Sequence, residues 1–392
     1  MDTFREVSNQ GFFSRIGSSI VGVLLGGLLF VGGCPVLFFN EGCAVRSYQA
    51  LQEARENVVP VASAAQVEAA NDKKLVHMVA GADSEETLAD PQFGISAKVI
   101  KLRRNVEMYQ WEEEKREEKR KKLGGGEETI TTYHYDKTWS SSHINSNSFR
   151  HPEGHTNPTE MLYRNDTQQA QKVWFGAFTL SPTLLGQYNS FEPLPVQQAD
   201  MEKVAATSAT AKLEQGHLYI GDNPASPAVG DTKVSFQVVR PSTVSILALQ
   251  MGSSFGPFPT KAGEPIELLS VGQHTAEQMI VAEESKVAFR TWAIRFGGFF
   301  MMFIGLSLTM GPLGVLGDVI PFVGSIIRTG TTLIAGLLAA VFALVTIAVA
   351  WIFYRPLLGI ILLAAAIGII FLVFKLSRKS KPASPVAGME GI

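Results

Sequence analysis

Four stretches of the chain are apolar for long enough to cross a bilayer, and they lie at its two extremities. A helix rises about 1.5 Å per residue, so about 20 apolar residues cover ~30 Å of hydrocarbon. Residues 16–39, IGSSIVGVLLGGLLFVGGCPVLFF, meet that length without a charge. Residues 296–316, FGGFFMMFIGLSLTMGPLGVL, do so again, and 331–354, TTLIAGLLAAVFALVTIAVAWIFY, do so most clearly. Residues 357–374 follow after only Arg355 and Pro356, which predicts a tight helical hairpin between the last two spans. The pattern therefore predicts an α+β membrane protein. Transmembrane helices cover 16–39, 291–316, 331–354 and 357–374, and a large β-rich domain, residues 40–290, is inserted between the first and second.

Within the polar middle the period changes. Ala44 to Glu56, AVRSYQALQEARE, puts Ala44, Val45, Tyr48, Leu51 and Ala54 on one face, which predicts an amphipathic helix leaving the membrane. Leu75 to Ala82, LVHMVAGA, reads as a short strand, and Ile100, Leu102, Val106 and Met108 alternate with polar residues as a half-buried strand requires. The following block, EEEKREEKRKK, fits either a solvated helix or a strand. Glu112/Arg116 and Glu114/Glu118 stand four apart, one pair attractive and one repulsive. The arm beyond Gly124, Gly125 and Gly126 decides the matter. ETITTYHYDKTW is rich in the Thr, Tyr and Ile that favour strands, so 106–139 is expected to be one long hairpin with its tip in water. Opposite charges are expected to face each other across it.

A second β-rich segment starts at Gly216. Val234, Phe236 and Val238 share one strand face, and Val244, Ile246 and Ala248 share another. Its order of strand, Pro-containing loop and longer strands resembles the earlier segment, which suggests two related β units, about 74–150 and 216–285. Residues 157–213, including WFGAFTLSPTLL, are expected to be mixed helix and loop covering the sheet.

Charge sets the orientation and excludes one partner class. Lys and Arg total 34 against 36 Asp and Glu, and the glutamates interleaved in KREEKRKK cancel the local field, so no nucleic-acid partner is expected. The tail, 375–392, carries Lys375, Arg378, Lys379 and Lys381 and is assigned to the cytoplasm. Four crossings place residues 1–15 and the loop 317–330 on that side and 40–290 in the periplasm or lumen. Arg290 and Arg295 run against this rule. Cys34 and Cys43 are too few for a disulfide framework. Val-Gly-Gly-Cys34 also reads as a lipoprotein cleavage site, but the apolar run continues through Pro35 to Phe39, longer than the apolar core of a cleaved signal.

Candidate chemistry is sparse. HINSNSFRHPEGHTNP holds His143, His151 and His155. HPEGH differs from the zinc-protease HExxH: Glu153 is misplaced, and Pro152 and Gly154 oppose the helix that motif needs. Asp318 and Arg355 stand at span ends, so no ionisable group marks the centre of a span. Ser307 lacks the spacing of an intramembrane serine protease, and Cys34 reads as a small apolar lining residue. Accordingly no catalytic, cofactor-binding or metal-ligating residue is nominated, no cofactor is expected, and the chain is not expected to be an enzyme.

KLRRNVEMYQW (Lys101 to Trp111), YHYDKTW (Tyr133 to Trp139), INSNSF, HTNP, FNEG (Phe39 to Gly42), VGDTKVSF (Val229 to Phe236) and WIFYRPL (Trp351 to Leu357) occur in that spread along nearly the whole chain. Together they resemble the transmembrane protein 43, or LUMA, family. The resemblance implies four transmembrane helices, a large luminal or extracytoplasmic domain and no catalytic residues. For a eukaryotic member it implies the endoplasmic reticulum and inner nuclear membrane, self-association, and emerin- or lamin-type partners. For a bacterial member it implies an inner-membrane protein with a periplasmic domain. The expected function is a membrane-organising scaffold, a homo-oligomer that contacts lipid and other membrane proteins. The alternative is a sensor or carrier holding a lipid or peptide ligand in the β-rich domain, with a cavity expected near WFGAF.

Overall fold

The computed structural model describes residues 2–205 and 210–356, which form two compact units. The first unit comprises residues up to Arg15, Ser47–Lys286 and Gly317–Val323. The second comprises Ile16–Arg46, Val287–Leu316 and the chain from Gly324 onward.

The first unit is built on two large sheets, beside a small two-stranded one (Thr87–Ala89 with Ser96–Lys98). The principal strands of the large sheets in chain order are β1 (Asp2–Gln10), β2 (Leu75–Asp83), β3 (Lys101–Lys121), β4 (Glu127–Ser140), β5 (Trp174–Phe175), β6 (Phe178–Thr179), β7 (Ala211–Glu214), β8 (His217–Ile220), β9 (Thr232–Val239), β10 (Ser242–Met251), β11 (Ser254–Gly256) and β12 (Leu268–Val271). One sheet runs β1-β4-β3-β9-β8-β7, and the other runs β12-β10-β11-β6-β5-β2. Because β10 also pairs with β2, the second sheet closes on itself.

The alternation read from the sequence fixes what each sheet buries. Leu102, Val106, Val234, Phe236 and Val238 pack with Phe93 and Leu218 under the first sheet. Val244, Ile246 and Ala248 pack with Val76, Met78, Phe175, Phe178 and Phe255 inside the second. The two β-rich segments do not each build a sheet of their own. β3 pairs with β9 and β2 pairs with β10, so each segment supplies a strand to both sheets. Leu75 to Ala82 and Leu218 to Ile220, the strands whose order looked alike, lie in different sheets.

The long hairpin forms as expected, with β3 and β4 in register from Met108↔Ser140 to Lys121↔Glu127. One of its expected features differs. Charges do not generally face one another, because β4 opposes them with Thr129, Ile130, Thr131, Thr132 and Tyr133. They pair instead along their own strand, Arg116 with Glu114, Lys115 with Glu117 and Arg120 with Glu118. The tip is exposed at Lys122, Leu123 and Gly124, as expected, while Gly125 beside them is buried in the contacts described below. Residues 1–15, expected to be the cytoplasmic N-terminus, supply β1, whose nine residues all pair antiparallel with β4.

The expected first span and amphipathic helix are one helix, α1 (Phe12–Asn57), with Pro35 inside it. Ala44, Val45, Ala50, Leu51 and Ala54 form its buried face near the C-terminal end. The second expected span is the end of α2 (Ala276–Thr309), which stops before Pro312, a residue with no N–H to continue the ladder. A short α3 (Gly311–Gly317) follows, and α4 (Pro321–Tyr354) begins well before residue 331, so most of the expected 317–330 loop is helical.

Three described helices, α1, α2 and α4, are long and apolar enough to cross a membrane; residues 357–374, the fourth expected span, lie outside the described residues, as does the basic tail. In the second unit α1 and α2 approach closely at glycines. A Cβ on Gly26 would lie 2.5 Å from the Gly305 carbonyl oxygen, and one on Gly298 would lie 2.5 Å from a Leu37 methyl. Leu37, Met302, Ala339 and Ala343 fill the contact between the three helices, while Leu24, Leu28, Phe296, Leu337 and Leu344 are exposed. Such an apolar exterior suits lipid.

Candidate functional site

The most elaborate polar construction in the first unit surrounds the hairpin tip. Lys122 to Gly126 form the turn, closed by the Lys122 N–H donating to the Gly126 carbonyl at 2.8 Å. Gly124 and Gly125 adopt φ +84° and +81°, the left-handed region that glycine enters without Cβ strain. Gly125 further has the Phe12 ring against it, where a Cβ would come within 2.5 Å. Arg15 donates to the Gly125 carbonyl, and the Gly124 N–H donates to the Val319 carbonyl at 3.2 Å.

Charge completes the junction. Arg15 Nη2 lies 2.5 Å from Asp318 Oδ2 and 3.6 Å from Glu127 Oε2, and Lys121 Nζ lies 3.4 Å from Asp318 and also pairs with Glu127. Arg15, Glu127 and Asp318 are all buried. Burial works to raise the Glu127 carboxyl, but Lys121 and then Arg15 outweigh it and hold the group below the ordinary carboxylate range. Arg15, Lys121 and, at 3.8 Å from Glu127, Lys119 thus meet the carboxylates of Glu127 and Asp318 where the N-terminal segment, the hairpin tip and the 318–320 turn come together.

The histidine loop has a structural task along the same ribbon. His155 stacks on Tyr135 with centroids 4.0 Å apart, meets Trp111 edge-on at 4.7 Å, and has Asp2 Oδ2 3.2 Å from its Nε2. His151 stacks on Phe4 at 4.4 Å, and Arg150 pairs with Glu6 at 2.7 Å, holding that carboxyl below its usual value. The loop therefore clamps β1 onto β4. The Tyr135 hydroxyl donates to Glu113 and accepts from the His151 N–H at 2.9 Å; burial, reinforced by Glu113, pushes its pKa up to about 12. His143 lies apart, bonded to the Pro158 carbonyl at 2.7 Å, and Glu153 joins none of these contacts. Among the described residues no group of three or more His, Cys, Asp or Glu is arranged to hold a metal.

A second cluster ties the helices of the second unit. Arg295 donates to both oxygens of Glu41 at 2.7 and 2.8 Å, and the Trp351 indole N–H donates to the same carboxylate at 2.8 Å. The Arg295 guanidinium also lies 4.8 Å over the Trp292 ring. Arg295, one of the two charges that run against the orientation rule, thus has a bidentate carboxylate partner. Asn40 bonds the Thr291 carbonyl, and Gly42 gives room for the Tyr354 ring. FNEG and WIFYRPL thus meet in space. Their shared aromatic and charged residues were the sequence signal for a site that run length alone passed over.

The space near WFGAF is filled: Phe175 and Phe178 are fully buried, and Phe178 stacks on Phe255 at 5.0 Å. An open groove of about 620 Å³ lies elsewhere, lined by Asp72, Lys73, Leu249, Met251, Phe258 and Pro259. Cys34 and Cys43 are free thiols, and Ser307 lies within α2.

Long apolar helices together with a large two-sheet domain define an integral membrane protein of α+β class. A family model described as transmembrane protein 43 matches residues 108–356, from the base of the hairpin to the end of the described chain. The chain belongs to the transmembrane protein 43 family. Transmembrane protein 43 of Homo sapiens is 32% identical over 371 residues, covering 92% of this chain and 91% of that protein. The Rattus norvegicus protein is 31% identical over 366 residues, 88% of each chain. The Drosophila melanogaster homolog is 29% identical over 352 residues, 87% of this chain and 91% of its own. No solved structure matches the chain.

Proposed function

We propose that the protein is a non-enzymatic integral membrane scaffold that self-associates and organises partner membrane proteins or lipids through its β-rich, extracytoplasmic domain. The observation that carries this reading is the ribbon β1-β4-β3. Past Trp111 its outer strand is charged at every position from Glu112 to Lys122, and those side chains are largely exposed. A stiff polar rib clamped at its tip suits recognition by complementary charge, which governs encounter rate and partner choice more than raw affinity. Membership of the family supports the membrane anchoring. Purification in mild detergent, with the mass measured and companions identified, tests the reading. An assembly heavier than the 42.5 kDa chain, carrying lipid or protein companions, is expected; a bare monomer overturns it.

A second reading, a membrane-anchored sensor or carrier, draws support from the groove. Leu249, Met251, Phe258 and Pro259 give it apolar walls, and Lys73 places a cation at its edge, a combination suited to an acyl chain with an anionic head. Lipid retained by the wild type in native mass spectrometry, and lost on Met251→Trp, would favour it over the scaffold.

A further inference from the structure

We infer that β1 is the interface strand between copies of this chain, pairing antiparallel with β1 of a second copy so that the first sheet runs continuously through both. The inference deepens the self-association in the function proposed above and rests on it. β1 is the terminal strand of its sheet, bonded to β4 on one side along all nine residues. Among the described residues no strand pairs with its other edge, which presents a row of backbone donors and acceptors, the template on which another strand adds. The ribbon's opposite edge, β3 beyond Trp111, is charged at every residue, and dense charge is how sheets block such pairing. DTFREVSNQ carries only three charges, Asp2, Arg5 and Glu6.

Symmetry and charge narrow the register. A two-fold axis perpendicular to the sheet makes the contact self-complementary. It keeps each face continuous across the junction, so only residues pointing to the same face can stand opposite one another. Centring the axis on Arg5 or Glu6 sets like charges face to face, and centring it on Phe4 sets Asp2 against Glu6 of the second copy; like charges directly opposite destabilise a ladder. Centring it on Val7 avoids every such clash: Glu6 meets Ser8, Arg5 meets Asn9 and Phe4 meets Gln10. Val7 then meets Val7 of the second copy.

The same register corrects an exposed apolar position. Val7 is 55% exposed, yet its partner across the ladder, Ile130, is only 4% exposed. With the axis at Val7, Ile130 and Val7 of one copy align with Val7 and Ile130 of the other, an unbroken apolar row across four strands. Cross-strand apolar pairs of this kind are the stabilising unit of a sheet.

Cysteine cross-linking of the full chain in membranes tests the interface, after Cys34→Ala and Cys43→Ala. Val7→Cys should give a disulfide-linked dimer on mild oxidation. Thr3→Cys should not, because the two Thr3 residues would stand about 26 Å apart, eight residues at ~3.3 Å each. In detergent Val7→Lys, which sets two cations opposite each other, should halve the assembly mass while leaving the fold intact. A wild-type assembly heavier than the monomer that gives no Val7→Cys dimer, or is unmoved by Val7→Lys, overturns this interface and leaves self-association standing. A monomeric wild type overturns both.

Discussion

Arg15 Nη2 stands 2.5 Å from Asp318 Oδ2, although 303 residues separate them in the chain and both side chains are buried. Neither residue has an obvious role in the sequence, where each is a single charge at the end of an apolar run. Together with Lys121 and Glu127 they form a cluster of cations and carboxylates. A lone buried charge is costly, and the cost is offset only when each ion finds partners of good geometry.

Removing one member should therefore weaken the first unit markedly. Asp318→Asn leaves Arg15 and Lys121 without that carboxylate and is expected to cost about 3–5 kcal/mol, the usual loss when a buried pair is broken from one side. The thermal midpoint in detergent reads this directly. A midpoint equal to that of wild type would mean the cluster does not hold the turn.

The pairing of β1 with β4 can be tested in the membrane. Ser8 stands opposite Thr129, and Gly124 bonds to Val319, so the N-terminal segment, the hairpin tip and the 318–320 turn are expected to be reached from the same face of the bilayer. Ser8→Cys with Thr129→Cys should form an intramolecular disulfide in native membranes. Thiol reagents applied from one face should reach both cysteines or neither. Labelling of the two from opposite faces would show that β1 and β4 do not pair in the membrane.

Acid should loosen the junction. The folded-state pKa of Glu127 is depressed, so its contribution is fully present above the ordinary carboxylate value near 4.3 and disappears as pH falls through the lower, folded value. Tyr135 acts at the other extreme. Its pKa is raised to about 12, so its contribution is complete below the ordinary value near 10 and is lost as pH climbs towards 12. Thermal midpoints measured against pH should fall on both limbs. Glu127→Gln should flatten the acid limb, and Tyr135→Phe the alkaline one.

Glu41 and Arg295 should behave as a coupled pair. Each single change, Glu41→Leu or Arg295→Leu, strands the other charge among the helices and is expected to cost about 3–5 kcal/mol. The double variant should cost clearly less than the sum, by at least about 1 kcal/mol for residues in direct contact. Additive losses in detergent melts would show that the two do not act on each other.

Much of the strand pattern was legible in advance because burial on one face imposes period two. Leu102, Val106, Val234, Phe236, Val244 and Ile246 were marked as inward and are buried. The hairpin was legible because three glycines interrupt two β-favouring arms. Pairing between distant strands was not. β2 with β10 and β3 with β9 join segments that look alike in order, and local pattern is silent on which sheet a strand enters. Charge partners along β3 were misjudged for the same reason, since the register put threonines opposite them. Helix ends shifted because run length measures apolar residues rather than backbone hydrogen bonds. α2 stops at Thr309 inside an apolar run, and α4 starts at Pro321 outside one.

By itself the sequence determined that apolar helices flank a β-rich domain, that a long charged hairpin projects from it, and that the chain resembles a known membrane family. Each of these follows from composition or period, which are local properties of the chain. Only the tertiary structure decided that residues 2–10 complete the sheet, that Arg15 meets Asp318 at the hairpin tip, and that Glu41, Arg295 and Trp351 close on one another. Those contacts join residues far apart in the chain, and their energy exists only once folding has excluded water and brought the partners together.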